Sequence, residues 1–260
     1  MNNQFSKERV IQFWDQKPCG TFGVIPENIN LEYFLKIRER RYNLEPFINL
    51  IAQFNRWQDK KVLEIGCGIG IDGMEFAKND ADYTGVDISK KSLELAKIYF
   101  SLNNQKGNLL LVDAEALPFE DNSFNLVYSW GVLHHTPNIQ KAVEEIYRAL
   151  TPSGQCTIML YNIHSLVALQ LYLIYGLFRG KPFVSIKQLF NEHHESLGTK
   201  AFSNSEIRLM FKKFSNIKIQ NILTPYDFRI RKNVYLPVWF RKIIPSRFGF
   251  FTVIKASKTI

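Results

Sequence analysis

The chain has 260 residues, 46% of them hydrophobic, and a formal net charge of +9. That is enough for one large domain with a sizeable core, and it excludes a disordered or fibrous chain. Three scattered cysteines, Cys19, Cys67 and Cys156, fit no disulfide framework or thiolate metal site, so a reduced, cytoplasmic protein is expected.

The opening segment MNNQFSKERV is polar and has no apolar leader. Ser6 is placed to cap a helix carrying Val10, Ile11, Phe13 and Trp14, which Pro18 and Gly20 then break. A second amphipathic stretch begins near Leu31. Pro46 to Phe54 reads as a third helix, with Pro46 in its first turn. Residues 1–60 thus read as a helical cover.

From Lys61 the pattern changes. KVLEI is a short strand, followed by a glycine-rich turn and a helix over Asp72 to Lys78. DYTGVD is a second strand, and Ser89 caps a helix through Leu93, Ala96 and Ile98. Leu109 to Val112 is a third strand and FNLVYS a fourth, followed by a helix with Val143, Ile146 and Leu150. TPSG reads as a turn and QCTIML as a fifth strand. This alternation predicts an α/β fold, a doubly wound, mostly parallel sheet with helices on both faces.

The alternation pauses after strand five, and residues 161–202 read as an insertion covering the substrate. Ser203 and Glu206 form an S-x-x-E capping box that opens a helix through Phe214. IKIQNIL and FFTVIKAS are the sixth and seventh strands, expected as an antiparallel pair at the sheet edge. The organisation is therefore one domain of 1–260: a cover (1–60), a core (61–160), the insertion (161–202) and a C-terminal helix with edge strands (203–260). The apolar region Ile158 to Phe178 is interrupted by Asn162, His164, Ser165 and Gln170, which argues against a spanning helix. Shallow contact with a bilayer stays open.

Charge is uneven. Lys200 to Ile260 holds 13 Lys and Arg against 2 Asp and Glu. Such a segment attracts nucleic acid, anionic lipid or an acidic substrate, although a solvated face is the simpler reading.

The stretch VLEIGCGIG concentrates three glycines directly behind the first strand. A bare turn there lets backbone approach a ligand at the carboxyl end of a parallel sheet. Two frames overlap. Gly68, Gly70 and Gly73 match G-x-G-x-x-G, the dinucleotide pattern; Gly66, Gly68 and Gly70 match G-x-G-x-G, with Glu64 two residues before. Asp87, ending strand two, serves a ribose in either frame. The close approach of Gly66 to the strand favours the second frame. So does the later DAEALPFEDNSFNLVYSWGVLHHTPN, and no Tyr-x-x-x-Lys pair supports a short-chain hydride-transfer site.

Together these motifs, over residues 61–160, resemble the class I S-adenosylmethionine-dependent methyltransferases, in particular the type 11-like group. The resemblance implies a Rossmann-like methyltransferase fold of seven strands and S-adenosyl-L-methionine as cofactor. It places Glu64, Gly66, Cys67, Gly68 and Gly70 along the methionine end. Asp87 would hold the ribose and Ile88 would pack on the adenine. Asp113 would accept from the adenine amino group beside the Ala114 backbone, and Ser129 would sit near the methionine amine or the sulfonium. RRYNLEPF resembles a flanking piece in which Arg41 would pair with the cofactor carboxylate and Tyr42 would close over it.

Methyl transfer needs an acceptor aligned with the S–CH3 bond, and an oxygen or amine acceptor also needs to lose a proton. His134 and His135 follow strand four and are the candidate base or acceptor-orienting residues; as chain neighbours, at most one is expected to point at the methyl group. His164 lies just beyond strand five and could also face the acceptor. His193, His194 and Glu195 fall in the insertion, where an exposed loop is the default, and no zinc spacing appears. An aromatic acceptor pocket is expected from Tyr161, Leu169, Tyr172, Tyr175, Phe178, Tyr226, Tyr235 and Trp239. The favoured reading is O-, N- or C-methylation of a small or medium-sized organic acceptor. The rivals are a methyltransferase of RNA or another macromolecule that uses RIRKN and Arg241–Lys242, a non-catalytic S-adenosylmethionine-binding protein, and a nicotinamide enzyme.

Overall fold

The structure is a computed structural model and describes residues 7–21, 25–196, 198–231, 234–235 and 243–259, with side chains at 230, 231, 234 and 235 left aside. Ser6, Trp239, Arg241, Lys242 and the end of RIRKN lie outside the described residues, as does the Tyr235 side chain.

The cover consists of helices α1 (Lys7–Gln16), α2 (Leu31–Leu44) and α3 (Ile48–Ala52). Asn30 caps α2 by accepting from the Tyr33 N–H at 3.0 Å. The third helix is shorter than the sequence pattern predicts. It ends at Gln53, whose φ of +51° breaks the α-helix, and a 3-10 turn over Phe54–Trp57 follows; Pro46 precedes the helix.

The core alternates β1 (Lys61–Ile65), α4 (Ile71–Lys78), β2 (Asp82–Asp87), α5 (Lys90–Leu102), β3 (Asn108–Leu111), β4 (Phe124–Trp130), α6 (Ile139–Ala149) and β5 (Leu150–Tyr161). TPSG lies within the bounds of β5 but forms a turn-like bulge, with no ladder partner of its own. It carries Ser153 at φ +61°, and a register shift separates the Leu150 and Gln155 pairings. The insertion forms α7 (Leu166–Leu171), a π turn over Tyr172–Gly176 and α8 (Ile186–His193). Helix α9 (Asn204–Met210) carries the predicted capping box and stops at Phe211, short of Phe214. Then come β6 (Ser215–Ile222), a small β7 (Arg229–Arg231) and β8 (Val234–Tyr235) hairpin, and β9 (Phe251–Ser257).

The seven-stranded sheet has the order β3-β2-β1-β4-β5-β9-β6. Strands β1 to β5 are parallel, while β9 runs antiparallel to both β5 and β6. The predicted terminal pair is therefore present, with β6 on the edge and β9 inside it. Alternating side chains feed two cores. Val62, Leu126 and Tyr128 face α2 to α5, while Leu63, Val127 and Ile158 face α6 and α9. Strand order reverses between β1 and β4, and a parallel sheet opens a crevice at such a switch point, beyond the carboxyl ends of the strands.

Candidate active site

The turn after β1 is built for close approach. Gly66, at φ +74°, would bring a Cβ within 2.2 Å of the Val132 side chain; Gly68, at φ +55°, would meet nothing within 4 Å. Only the second glycine thus faces open space. The Gly66 and Cys67 N–H groups both donate to the Val86 carbonyl, at 2.7 and 3.0 Å, stitching the turn to β2. Gly70 packs against Phe100 and Ala96 of α5, so its missing side chain serves helix packing. Gly73 makes room for Tyr83, whose hydroxyl donates to Glu64 at 2.6 Å. The third glycine of the dinucleotide frame is thereby accounted for by packing.

Asp87 accepts from the Gly68 N–H and the Ser89 N–H, each at 2.8 Å and each on its own oxygen. Burial pushes its carboxyl up, and these backbone donors oppose the rise. Each carboxylate oxygen keeps a further lone pair for a ligand hydroxyl. Glu64 is pushed well above the carboxylate range by burial and by the charge of Asp72.

A cavity of about 590 Å³ opens on this turn. Glu64, Gly66, Cys67, Gly68, Asp87, Ile88, Asp113, Ala114 and Arg41 all line it. Nine of the eleven cofactor residues expected from the sequence therefore share one space. Gly70 and Ser129 do not border it. The Ser129 hydroxyl is fully buried and donates to the Ile65 carbonyl at 3.0 Å, tying β4 to β1. Asp113 borders the space and is also ion-paired to Lys7 of the cover.

Arg41 borders the cavity with a partner of its own. Its guanidinium donates from Nε at 2.8 Å and from a terminal nitrogen at 2.5 Å to Asp72. The Tyr42 and Tyr128 hydroxyls also donate to Asp72, at 3.0 and 2.9 Å. Burial works against the Arg41 cation, but Asp72 keeps it charged well above the usual range. Asp72 escaped the sequence reading, although an acid in the first turn of the helix after the glycines was visible.

Beyond Gly131 the cavity becomes aromatic, with Trp130, Tyr161, Tyr226, Phe250 and Phe251. Glu45 sits among them, accepting from the Trp130 indole at 2.8 Å and the Tyr226 hydroxyl at 3.2 Å. Burial raises its carboxyl.

The two histidines of the 3-10 turn Leu133–His135 differ in their surroundings. His135 borders the cavity; His134 is fully buried against the Tyr161 ring, centroids 3.7 Å apart, and does not border it. Desolvation drives the His134 pKa well below its usual value. His193 and Glu195 are exposed, as expected, His194 is half-buried, and all three also border the cavity. Glu195 lies 3.2 Å from His135 Nε2 and accepts from the Tyr161 hydroxyl at 2.8 Å. Burial would raise its carboxyl, but His135, His194 and Tyr161 bring it down to about 2. His164 does not border the cavity.

Known proteins resemble this chain in sequence and in fold. Residues 63–158 match the family model described as a methyltransferase domain. A sterol 24-C-methyltransferase of Neurospora crassa is 37% identical over 108 residues, covering 40% of this chain and 28% of that protein. A ubiquinone biosynthesis O-methyltransferase of Rickettsia akari is 27% identical over 158 residues, covering 60% of this chain and 57% of that protein. The chain thus spans between about a quarter and a little over half of the length of these relatives. In fold it resembles the magnesium protoporphyrin IX methyltransferase of Synechocystis, solved with bound SAH, with TM-score 0.62 at 14% identity over 98% of this chain and 100% of that one. It also resembles the cyclase SpnF, with TM-score 0.58 at 15% identity over 83% of this chain and 81% of that one.

Proposed function

We propose that this chain, whose residues 63–158 match a methyltransferase domain, uses S-adenosylmethionine to methylate a small or medium-sized organic acceptor. The observation that carries the reading is one continuous cavity with two unlike halves. Its polar half is formed by the glycine turn, Asp87 and Asp113; its aromatic half by Trp130, Tyr161, Tyr226 and Phe251.

In this reading Asp87 receives the ribose hydroxyls and Gly68 leaves room for the methionine end. Ile88 and Ala114 flank the adenine, and Asp113 accepts from its amino group. Arg41, held by Asp72, presents a fixed positive charge beside the cofactor carboxylate. The cofactor supplies an already activated methyl group, so the chain's task is alignment. Fixing two reactants in line supplies roughly 7–11 kcal/mol in favourable cases. His135, on the cavity wall, orients the acceptor or takes its proton; His134 does not border the cavity.

The acceptor half is mostly apolar with few directing polar groups, as pockets for small organic ligands are. The relatives named for sterols and for a ubiquinone precursor fit an apolar acceptor of this kind. No helix among the described residues is long and apolar enough to cross a membrane. The insertion nevertheless leaves Phe178 at 76% and Phe183 at 98% exposure, beside Arg179 and Lys181. Aromatic side chains flanked by cations favour an anionic bilayer surface. Val167 and Gln170 of the same insertion border the cavity, and in this reading an apolar acceptor enters past them.

The test is methyl transfer from isotope-labelled S-adenosylmethionine into a metabolite and lipid extract, with fractionation of the labelled product. Label in one organic product supports the reading. Cofactor binding with no labelled product points to a sensor, label in RNA to the macromolecular rival, and tight nicotinamide binding without S-adenosylmethionine binding to the last rival.

A further inference from the structure

Beside the aromatic half of the cavity, three side chains from two distant segments converge. His134 and His135 come from the 3-10 turn after β4, and Glu195 from the segment after α8, at φ +49°. One ligand atom from each lies within 4.8 Å of those of the other two.

One ring nitrogen of His135, Nδ1, is held by the insertion, 2.9 Å from the Ser196 hydroxyl and 3.2 Å from the Thr199 hydroxyl. The other, Nε2, is buried without a hydrogen bond and stands 3.2 Å from a Glu195 carboxylate oxygen.

A proton on His135 would satisfy this pair alone. It would leave unexplained His134, fully buried with neither ring nitrogen bonded, and His194, whose Nε2 is also without a partner. Buried polar groups in native interiors are nearly all partnered, and a bound ion is one way to partner these. A metal ion draws on His134, His135 and Glu195 together.

We propose that His134, His135 and Glu195 bind a divalent transition ion of the zinc class. Two imidazoles and one carboxylate are a borderline donor set, suited to zinc, iron or cobalt more than to magnesium. Ser196 and Thr199 hold the His135 ring, and the Tyr161 hydroxyl holds Glu195, as supporting hydrogen bonds do around metal ligands. His135, Glu195 and Tyr161 border the cavity, so the ion's remaining positions face the acceptor. There it would bind an acceptor hydroxyl and lower its pKa, making oxygen the methylated atom. This role rests on the methyltransferase reading; the binding of the ion does not.

The experiment strips the full chain with a chelator and titrates it with zinc chloride, then with magnesium chloride, by calorimetry, with elemental analysis of the product. S-adenosylmethionine affinity is measured separately on the metal-free chain. One zinc per chain is expected, bound more tightly than magnesium, with Glu195→Gln and His134→Gln each weakening it by about tenfold or more. Cobalt in place of zinc should give a visible absorption band that both substitutions change. Should His134→Gln fail to fold, the partly exposed Glu195 carries the test alone. Absence of stoichiometric zinc, or zinc binding indifferent to Glu195→Gln, overturns the proposal. Cofactor affinity retained in that event leaves the methyltransferase reading standing; cofactor affinity lost with zinc binding intact does the reverse.

Discussion

Two glycines separated by a single residue, Cys67, should respond in opposite ways to the same added methyl group. Both Gly66 and Gly68 have positive φ, at +74° and +55°. Placing alanine in that region costs about 1–2 kcal/mol at either position. At Gly66 the new Cβ would also overlap Val132 at 2.2, 2.5 and 2.8 Å. Overpacking of this kind adds about 1–3 kcal/mol. Gly66→Ala should therefore lose roughly 2–5 kcal/mol of stability. Gly68→Ala, with nothing within 4 Å of its Cβ, should lose only the backbone term. At roughly 2–4 °C per kcal/mol, the expected fall in Tm is a few degrees for Gly68→Ala and up to about 20 °C for Gly66→Ala. Cofactor affinity should run the other way, because the Gly68 methyl projects into the space assigned to the methionine end. Thermal melts and calorimetry with S-adenosylmethionine read both quantities. A Gly68→Ala protein that melts normally and binds the cofactor with wild-type affinity would refute the placement of the ligand on this turn.

Other perturbations separate the roles of the buried charges. Asp87→Asn removes the charge facing the ribose, and hydrogen bonds to charged groups are worth about 1.5–3 kcal/mol, so calorimetry should show roughly a tenfold to hundredfold weaker cofactor. Arg41→Met leaves the buried Asp72 without its cation. Breaking a buried pair in this way costs about 3–5 kcal/mol, to be read by urea unfolding. Glu45 gives a pH signature. Burial holds its folded pKa above the ordinary 4.5, so the unfolded chain releases the proton first as pH rises. Its stabilising contribution is whole below about 4.5 and is lost as pH rises through the folded value. Glu45→Gln should remove that slope, and the difference in stability between variant and wild type should move in the variant's favour between pH 4 and 8. Phe178→Ser with Phe183→Ser should reduce co-sedimentation with anionic vesicles and leave transfer to a water-soluble acceptor unchanged; equal sedimentation of variant and wild type removes the bilayer route.

The cofactor half of the site was legible because local backbone chemistry encodes it. A glycine turn behind a strand and an acid ending the next strand sit about 20 residues apart, inside one βαβ unit whose geometry is stereotyped. Ser129 misled because its position at the end of β4 was legible and its direction was not. Strand side chains alternate faces, and the Ser129 hydroxyl turns to the Ile65 carbonyl instead of the cavity. The acceptor half left no such trace. Glu45 and Tyr226 meet across 181 residues, and His135 meets Thr199 across 64, through contacts no periodic pattern announces. The paired histidines show the limit most plainly. Adjacent residues do not easily point at one spot, which is why only one was expected at the methyl group. The chain enters a 3-10 turn there instead, and the rings lie 4.3 Å apart, one towards the cavity and one behind it. Both can then serve one site in different positions. The sequence carries the residue types for that arrangement, but only the turn, closed by the Lys200 N–H donating to the His134 carbonyl at 3.0 Å, brings the insertion back over them.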